Sequence, residues 1–163
     1  MTPAEALAQR TSERSLTRRL ATAGGVVAWA GAVLPALASY HRSEVPLPWW
    51  ILALVTLAAF VAVSERGRDR LGLTPARVVI AIGVASALGA CALWGTDMTA
   101  PVLLVLMSGA SAWVLSRRAT IALVVGLSIA LALLLELRST SAVWTMIYSA
   151  LMAFAGLMIH IVI

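Results

Sequence analysis

Three features of the sequence predict an all-α fold: a polytopic membrane helix bundle of six transmembrane helices, with both ends in the cytoplasm. Hydrophobic residues make up 61% of the 163-residue chain and charged residues 12%, at a mean hydropathy of +0.97. The apolar residues gather into six runs parted by short polar segments, and the arginines fall almost wholly in alternate segments. A water-soluble domain of this size would leave large contiguous apolar patches facing solvent, which soluble proteins avoid. In a bilayer the same surface faces lipid. Spans of about 20 residues use up most of the chain, so one domain is expected, with little left for a folded soluble module.

Residues 1–19 form a basic segment on the cytoplasmic side. Thr2 can cap a helix, Pro3 suits the first helical position, and Glu5 can close a capping box. Arg10, Arg14, Arg18 and Arg19 follow, and the segment reads as a short solvated or surface-lying helix. The transmembrane domain is 20–163. Its first span, 20–40, ends at the turn His41-Arg42-Ser43-Glu44. The second, 46–63, is entered through Trp49 and Trp50, which suit a headgroup interface. A charged loop over 64–77 holds Arg66, Arg68, Asp69 and Arg70. The third span, 78–94, ends at Gly95-Thr96-Asp97, and the fourth, 101–115, at the tight turn Ser116-Arg117-Arg118. The fifth, 119–135, leads to Glu136-Leu137-Arg138, and the sixth, 142–163, is apolar to its last residue. No run alternates as a strand would. Lipid-facing backbone must bond within its own segment, so each run reads as a helix.

Orientation follows from the arginines, which supply all the positive charge of a chain without lysine. With the N-terminus inside, ten of them lie in inside segments, and only Arg42 and Arg138 lie outside. Each inside segment agrees separately with the positive-inside rule. The net charge of +5 therefore points to anionic lipid at the inner face rather than to nucleic acid. The expected location is a bacterial plasma (inner) membrane. Arg18-Arg19, the first apolar run and Ala36-Leu37-Ala38 also have the layout of a cleavable signal peptide. The run is longer than a usual signal core, which favours an uncleaved anchor.

Small residues predict where helices meet. In the third span Ala81, Ala85 and Gly89 recur every four residues, as do Gly83, Ala87 and Cys91. That interval lets two backbones approach closely where lipid offers no hydrophobic drive to association. This density predicts a central place for the third span. The pairs Ser108 with Ala112 and Ser149 with Ala153 are no more than an alanine-rich composition produces.

Few residues offer chemistry. Glu136, at the outer end of the fifth span, is the one carboxylate near membrane depth. It reads as an interfacial residue, with a proton or cation site as the functional alternative. His160 reads as an interfacial neutral histidine. His41 reads as a solvated turn residue, a pH-sensing role being its alternative. Asp97 suits a cap, and Cys91 a small packing residue. A single cysteine allows neither an intrachain disulfide nor a cysteine-based metal site. No phosphate loop, nucleophile elbow, zinc spacing or carboxylate pair occurs, so no catalytic residue, metal or cofactor is expected. Arg77 and Trp94 bracket the third span, whose 17 residues would reach only about 25 Å of a core near 30 Å. Both are therefore candidates for sensing membrane thickness.

The stretch 101–135 runs from Pro101 through Val102-Leu103-Leu104-Val105-Leu106 to the basic turn Arg117-Arg118-Ala119 and a second apolar run into Glu136. With three N-in hairpins and a long last span, it resembles the transmembrane sensor region of DesK-like bacterial sensor histidine kinases. The resemblance implies a signal-input domain. It would pass a membrane or outer-face signal through the last helix to a cytoplasmic kinase, acting as a homodimer with a response regulator as partner. The family's kinase signature and ATP-binding domain are absent from this sequence, so no catalytic residue carries over. The apolar end Ile161-Val162-Ile163 fits an excised or truncated amino-terminal region. The competing classes are a small transporter or channel subunit, which needs a polar path across the bundle, and a non-catalytic assembly protein, which needs no site.

Overall fold

The computed structural model describes residues 3–40, 45–93, 100–137 and 142–162. Among these all regular structure is helical, in the order α1 (Pro3–Tyr40), α2 (Leu47–Leu71), α3 (Leu73–Leu93), α4 (Val102–Ser111), α5 (Arg117–Glu136) and α6 (Ala142–Val162). Five of the six contain a stretch long and apolar enough to cross a membrane; α4 does not. This is the architecture of a multi-pass helical membrane protein, with five helices long and apolar enough to span and one short apolar helix among the described residues.

Several boundaries differ from those expected. The basic segment 3–19 and the first span form one unbroken helix, and Pro35 does not end it. The segment 64–77 is not a charged loop. Helix α2 continues through it to Leu71, and only Gly72, at φ +77, separates α2 from α3. Ser64 to Leu71 contains no proline, so nothing forces the helix to stop before a residue suited to the left-handed conformation. The third helix consequently has 21 residues, reaching about 31 Å, and the thickness mismatch expected there disappears. Trp49 is fully buried within the bundle. It lies on the inward stripe of α2 with Ala53, Thr56, Phe60 and Val63, at the three- and four-residue spacing that keeps one helix face inward.

The fourth span is the largest departure. Helix α4 has ten residues, about 15 Å, or half a bilayer core. It touches all five other helices. Leu103, Leu104, Met107 and Ser108 are fully buried. Around it, α1 and α2 run antiparallel. The Trp29 indole donates to the Ala53 carbonyl at 2.9 Å, and the Phe60 ring occupies the space a side chain at Gly25 would need. Helices α2 and α3 form the most extensive pair, and α5 with α6 the next.

Gly83, midway along α3, fixes the depth of α4. A Cβ there would lie 2.5 Å from Met107 Cε and 2.8 Å from Ala59 Cβ. Met107 is thus level with the middle of α3. At 1.5 Å per residue, α4 begins about 7.5 Å to one side of that level and ends about 6 Å to the other. Both of its ends fall within the depth that α3 spans. Irregular backbone is tolerated at such depth where protein covers it. Ala100, Pro101, Ala112 and Val114, which flank α4, are accordingly buried.

Candidate functional site

The ends of α4 need hydrogen-bond partners, and two serines answer that need. After Ser111 the chain tightens into three-residue turns: Ala112 N–H bonds to the Gly109 carbonyl, Trp113 N–H to Ala110 and Val114 N–H to Ser111. This tightening deprives the Ser108 carbonyl of the amide that a continuing α-helix would bring. The Ser111 hydroxyl donates to it instead, at 2.7 Å. The Ser108 hydroxyl is shared between the Val105 carbonyl at 2.8 Å and the Met152 carbonyl of α6 at 3.1 Å. That second contact ties α4 to α6.

Helix α6 meets α4 and α5 along one line of residues. Tyr148, Met152 and Gly156 are buried at four-residue spacing, and half-buried His160 continues the line. Neighbouring positions such as Ile147, Leu151, Phe154 and Met158 are exposed. At Gly156 α4, α5 and α6 approach one another closely. A Cβ there would lie 3.1 Å from Val124 Cγ2, 3.2 Å from Thr120 Cγ2 and 3.5 Å from the Ser108 carbonyl.

Thr120 is placed by the start of α5. Ser116 is the N-cap, in extended conformation, and its hydroxyl accepts from the Ala119 N–H at 3.4 Å. The next amide, Thr120 N–H, reaches the Ser116 carbonyl at 2.9 Å. This cap turns the fully buried Thr120 towards α6, where its hydroxyl lies 3.0 Å from His160 Nε2. Among the described residues the His160 ring has no other hydrogen-bond partner. Which of the two donates depends on the histidine tautomer.

The junction therefore consists of Ser108, Ser111, Thr120, Gly156 and His160. Both serine hydroxyls are committed to carbonyls, and among the described residues no carboxylate is hydrogen-bonded to the imidazole. Among the described residues no group of three or more His, Cys, Asp or Glu is placed to hold a metal.

Charge is set apart from this junction. Arg117 and Arg118 are exposed at the N-terminus of α5, and Arg77 is exposed in the second turn of α3. Positive charge at a helix N-terminus opposes the helix dipole. The helix dipole thus does not account for these arginines. The helix directions carry Arg19, Arg77, Arg117, Arg118 and the α2–α3 turn to one end of the bundle, together with the C-terminal end of α6. We refer to it as the basic end.

The other expected residues are scattered. Glu136 is exposed as the last residue of α5, at the end opposite Arg77. Trp94, His41, Asp97 and Arg138 lie outside the described residues. On α3 the two small-residue series take different faces. Gly83, Ala87 and Cys91 are buried, while Ala81 and Ala85 are exposed and Gly89 is half-buried, with Leu52 Cδ1 3.0 Å from where its Cβ would stand. The α4–α6 approach uses Ser108 and its neighbours, at spacings that the composition alone would explain. The sequence signal that separates it from chance is the line Tyr148, Met152, Gly156, His160, which ends on a polar residue. No protein family, curated protein or solved structure matches the chain.

Proposed function

We propose that the chain is the membrane-embedded signal-input part of a bacterial sensor histidine kinase, set in the plasma membrane with its basic end in the cytoplasm. It passes a change in the membrane, or at the outer face, along α6 to a kinase that lies outside this sequence. A homodimer and a response regulator are the corresponding partners. The observation that carries the reading is the attachment of α6. Its span is 17% buried, against 39% for those of α2 and α3, yet it runs from one end of the bundle to the other. A helix packed, among the described residues, on α4 and α5 alone, with its outer face open along its length, can tilt while α1, α2 and α3 stay in place. Exposed Arg19, Arg77, Arg117 and Arg118 anchor the basic end on anionic lipid, each contributing about 1 kcal/mol near such a surface.

The test is a chimera in which α6 continues in helical register into a dimeric histidine kinase core, reconstituted in vesicles of increasing acyl-chain length. Autophosphorylation is expected to change several-fold across the series. A flat response overturns the reading. One observation favours the transporter or channel alternative: α4 has both ends at membrane depth, as the discontinuous helices of transporters do. Solute or ion flux into vesicles bearing this chain alone would move the assignment there.

A further inference from the structure

We infer that the Thr120–His160 hydrogen bond is a latch that holds the basic end of α6 against α5, and that α6 is built to release there while staying docked at its middle. The inference rests on the signalling reading only for its consequence, not for its geometry.

The contacts of α6 change along its length. In the middle, Met152 is fully buried and its carbonyl receives Ser108, while Gly156 sits directly on Thr120, Val124 and the Ser108 carbonyl. Beyond Gly156 the contact with α4 thins, because α4 has ended at Ser111 and its chain turns off towards Ser116, and α5 becomes the main support. Met158 and Ile161 are exposed, and Ile159 grazes Gly109 at 4.0 Å from where a Cβ would stand. Past that point the one side-chain hydrogen bond from α6 to another helix, among the described residues, is His160 to Thr120.

Both members of this pair have an alternative, which is what makes it a latch and not a rivet. A threonine in a helix can turn its hydroxyl back to the carbonyl four residues earlier, here that of Ser116. His160 stands in the last turn of α6, close enough to the membrane boundary to reach water or headgroups instead. Opening therefore leaves neither group stranded in hydrocarbon, and the full cost of an unsatisfied buried polar group is avoided. Interhelical hydrogen bonds in membranes are individually weak, so the two states of the latch differ in population by about three-fold on this bond alone.

The test uses the full chain in lipid vesicles, with Cys91→Ala as background and spin-label pairs spanning α5 and α6. One pair, at Ala119 and Ile161, reports the basic end; the other, at Leu133 and Met146, the opposite end. Thr120→Val and His160→Phe should each lengthen or broaden the basic-end distance and speed amide exchange over 157–161 about three-fold. The opposite-end distance should stay fixed. Thr120→Ser should restore the wild-type values, and the double variant should match either single one, because one bond is lost in each case. An unchanged basic-end distance in Thr120→Val and His160→Phe overturns the latch. Equal movement at both ends does so too, since it reports general loosening. In the kinase chimera, a latch that opens by distance without altering phosphorylation sinks the signalling reading and leaves the latch standing. A chimera that responds to chain length while its basic-end distance ignores Thr120→Val does the reverse.

Discussion

Helices α4 and α6 lie side by side and are both apolar, but α4 is enclosed by the bundle and α6 lies at its edge. Helix α4 touches every other helix, while most of the surface of α6 faces outward. The difference is one of shape and hydrogen bonding, not of hydrophobicity. Lipid is as apolar as leucine, so a leucine-rich face gains little by turning inward, and close approach of backbones decides what packs. Met107 of α4 fits against Gly83, and Ser108 and Gly109 fit against Gly156 and Ala155. On α6 the contacts centre on Tyr148, Met152 and Gly156, with Ala155 and Ile159 beside them, and the opposite face is left open.

The sharpest way to break this comparison is to fill the hole that Met107 occupies. A Cβ at Gly83 could displace the flexible end of Met107, but Ala59 Cβ at 2.8 Å belongs to a packed helix and cannot yield without moving α2. Gly83→Ala is expected to destabilise the protein by about 2 kcal/mol, within the usual range for overpacking. Gly83→Leu should prevent recovery of folded protein. Ala85→Leu, on the exposed face of the same helix, should cost under about 0.5 kcal/mol. Unfolding in mixed micelles, followed by tryptophan fluorescence, would measure all three. Equal costs for the Gly83 and Ala85 substitutions would mean that α4 is not the centre of the bundle.

A smaller, local effect is expected at Gly156. Its neighbours stand 3.1–3.5 Å from a built Cβ, so Gly156→Ala should cost about 1 kcal/mol, at the lower end for an added methyl group. Gly156→Leu should push α6 off α4 and α5 while α2 and α3 stay paired. Amide exchange resolved by helix would then accelerate across 142–162 and not across 47–93. Loss of protection in α2 and α3 as well would show that α6 is integral to the core, and that its sparse burial misrepresents its role.

What was legible in the sequence follows the same divide. The all-helical class and the apolar stretches could be read because they depend on local composition. The buried face of α3 was half legible: four-residue spacing marked two series, but only packing against α2 and α4 separates Gly83 and Ala87 from Ala81 and Ala85. The length of α4 was hidden. Its apolar run, 101–115, includes residues 112–115, which leave the helix while staying among other helices, so hydropathy does not register the break. The turn at Gly72 was obscured for the opposite reason. Charged residues in Ser64–Leu71 look like a loop, although their backbone continues the helix. The Thr120–His160 pair joins positions 40 residues apart, a separation across which no local pattern operates.

The smallest expected effect is the most discriminating, because its sign changes between two serines of similar burial. Ser108 is fully buried and its hydroxyl bonds carbonyls on α4 and α6, while Ser64 on α2 is 2% exposed and its hydroxyl has no hydrogen-bond partner among the described residues. Ser108→Ala removes a bond between helices and should cost about 0.6 kcal/mol, the average for such bonds in a membrane protein. It should also weaken α6 docking selectively. Ser64→Ala removes a hydroxyl that lost its water on folding and found nothing in return. It should be neutral or stabilising by up to about 1 kcal/mol, since deleting an unsatisfied polar group recovers part of its desolvation cost. Opposite signs in paired unfolding measurements would show that satisfied hydroxyls, and not serine content, hold the centre of this bundle. If Ser64→Ala instead destabilises as much as Ser108→Ala, the Ser64 hydroxyl has a partner of its own, and the α2–α3 pair is tied by polar contacts as the α4–α6 pair is.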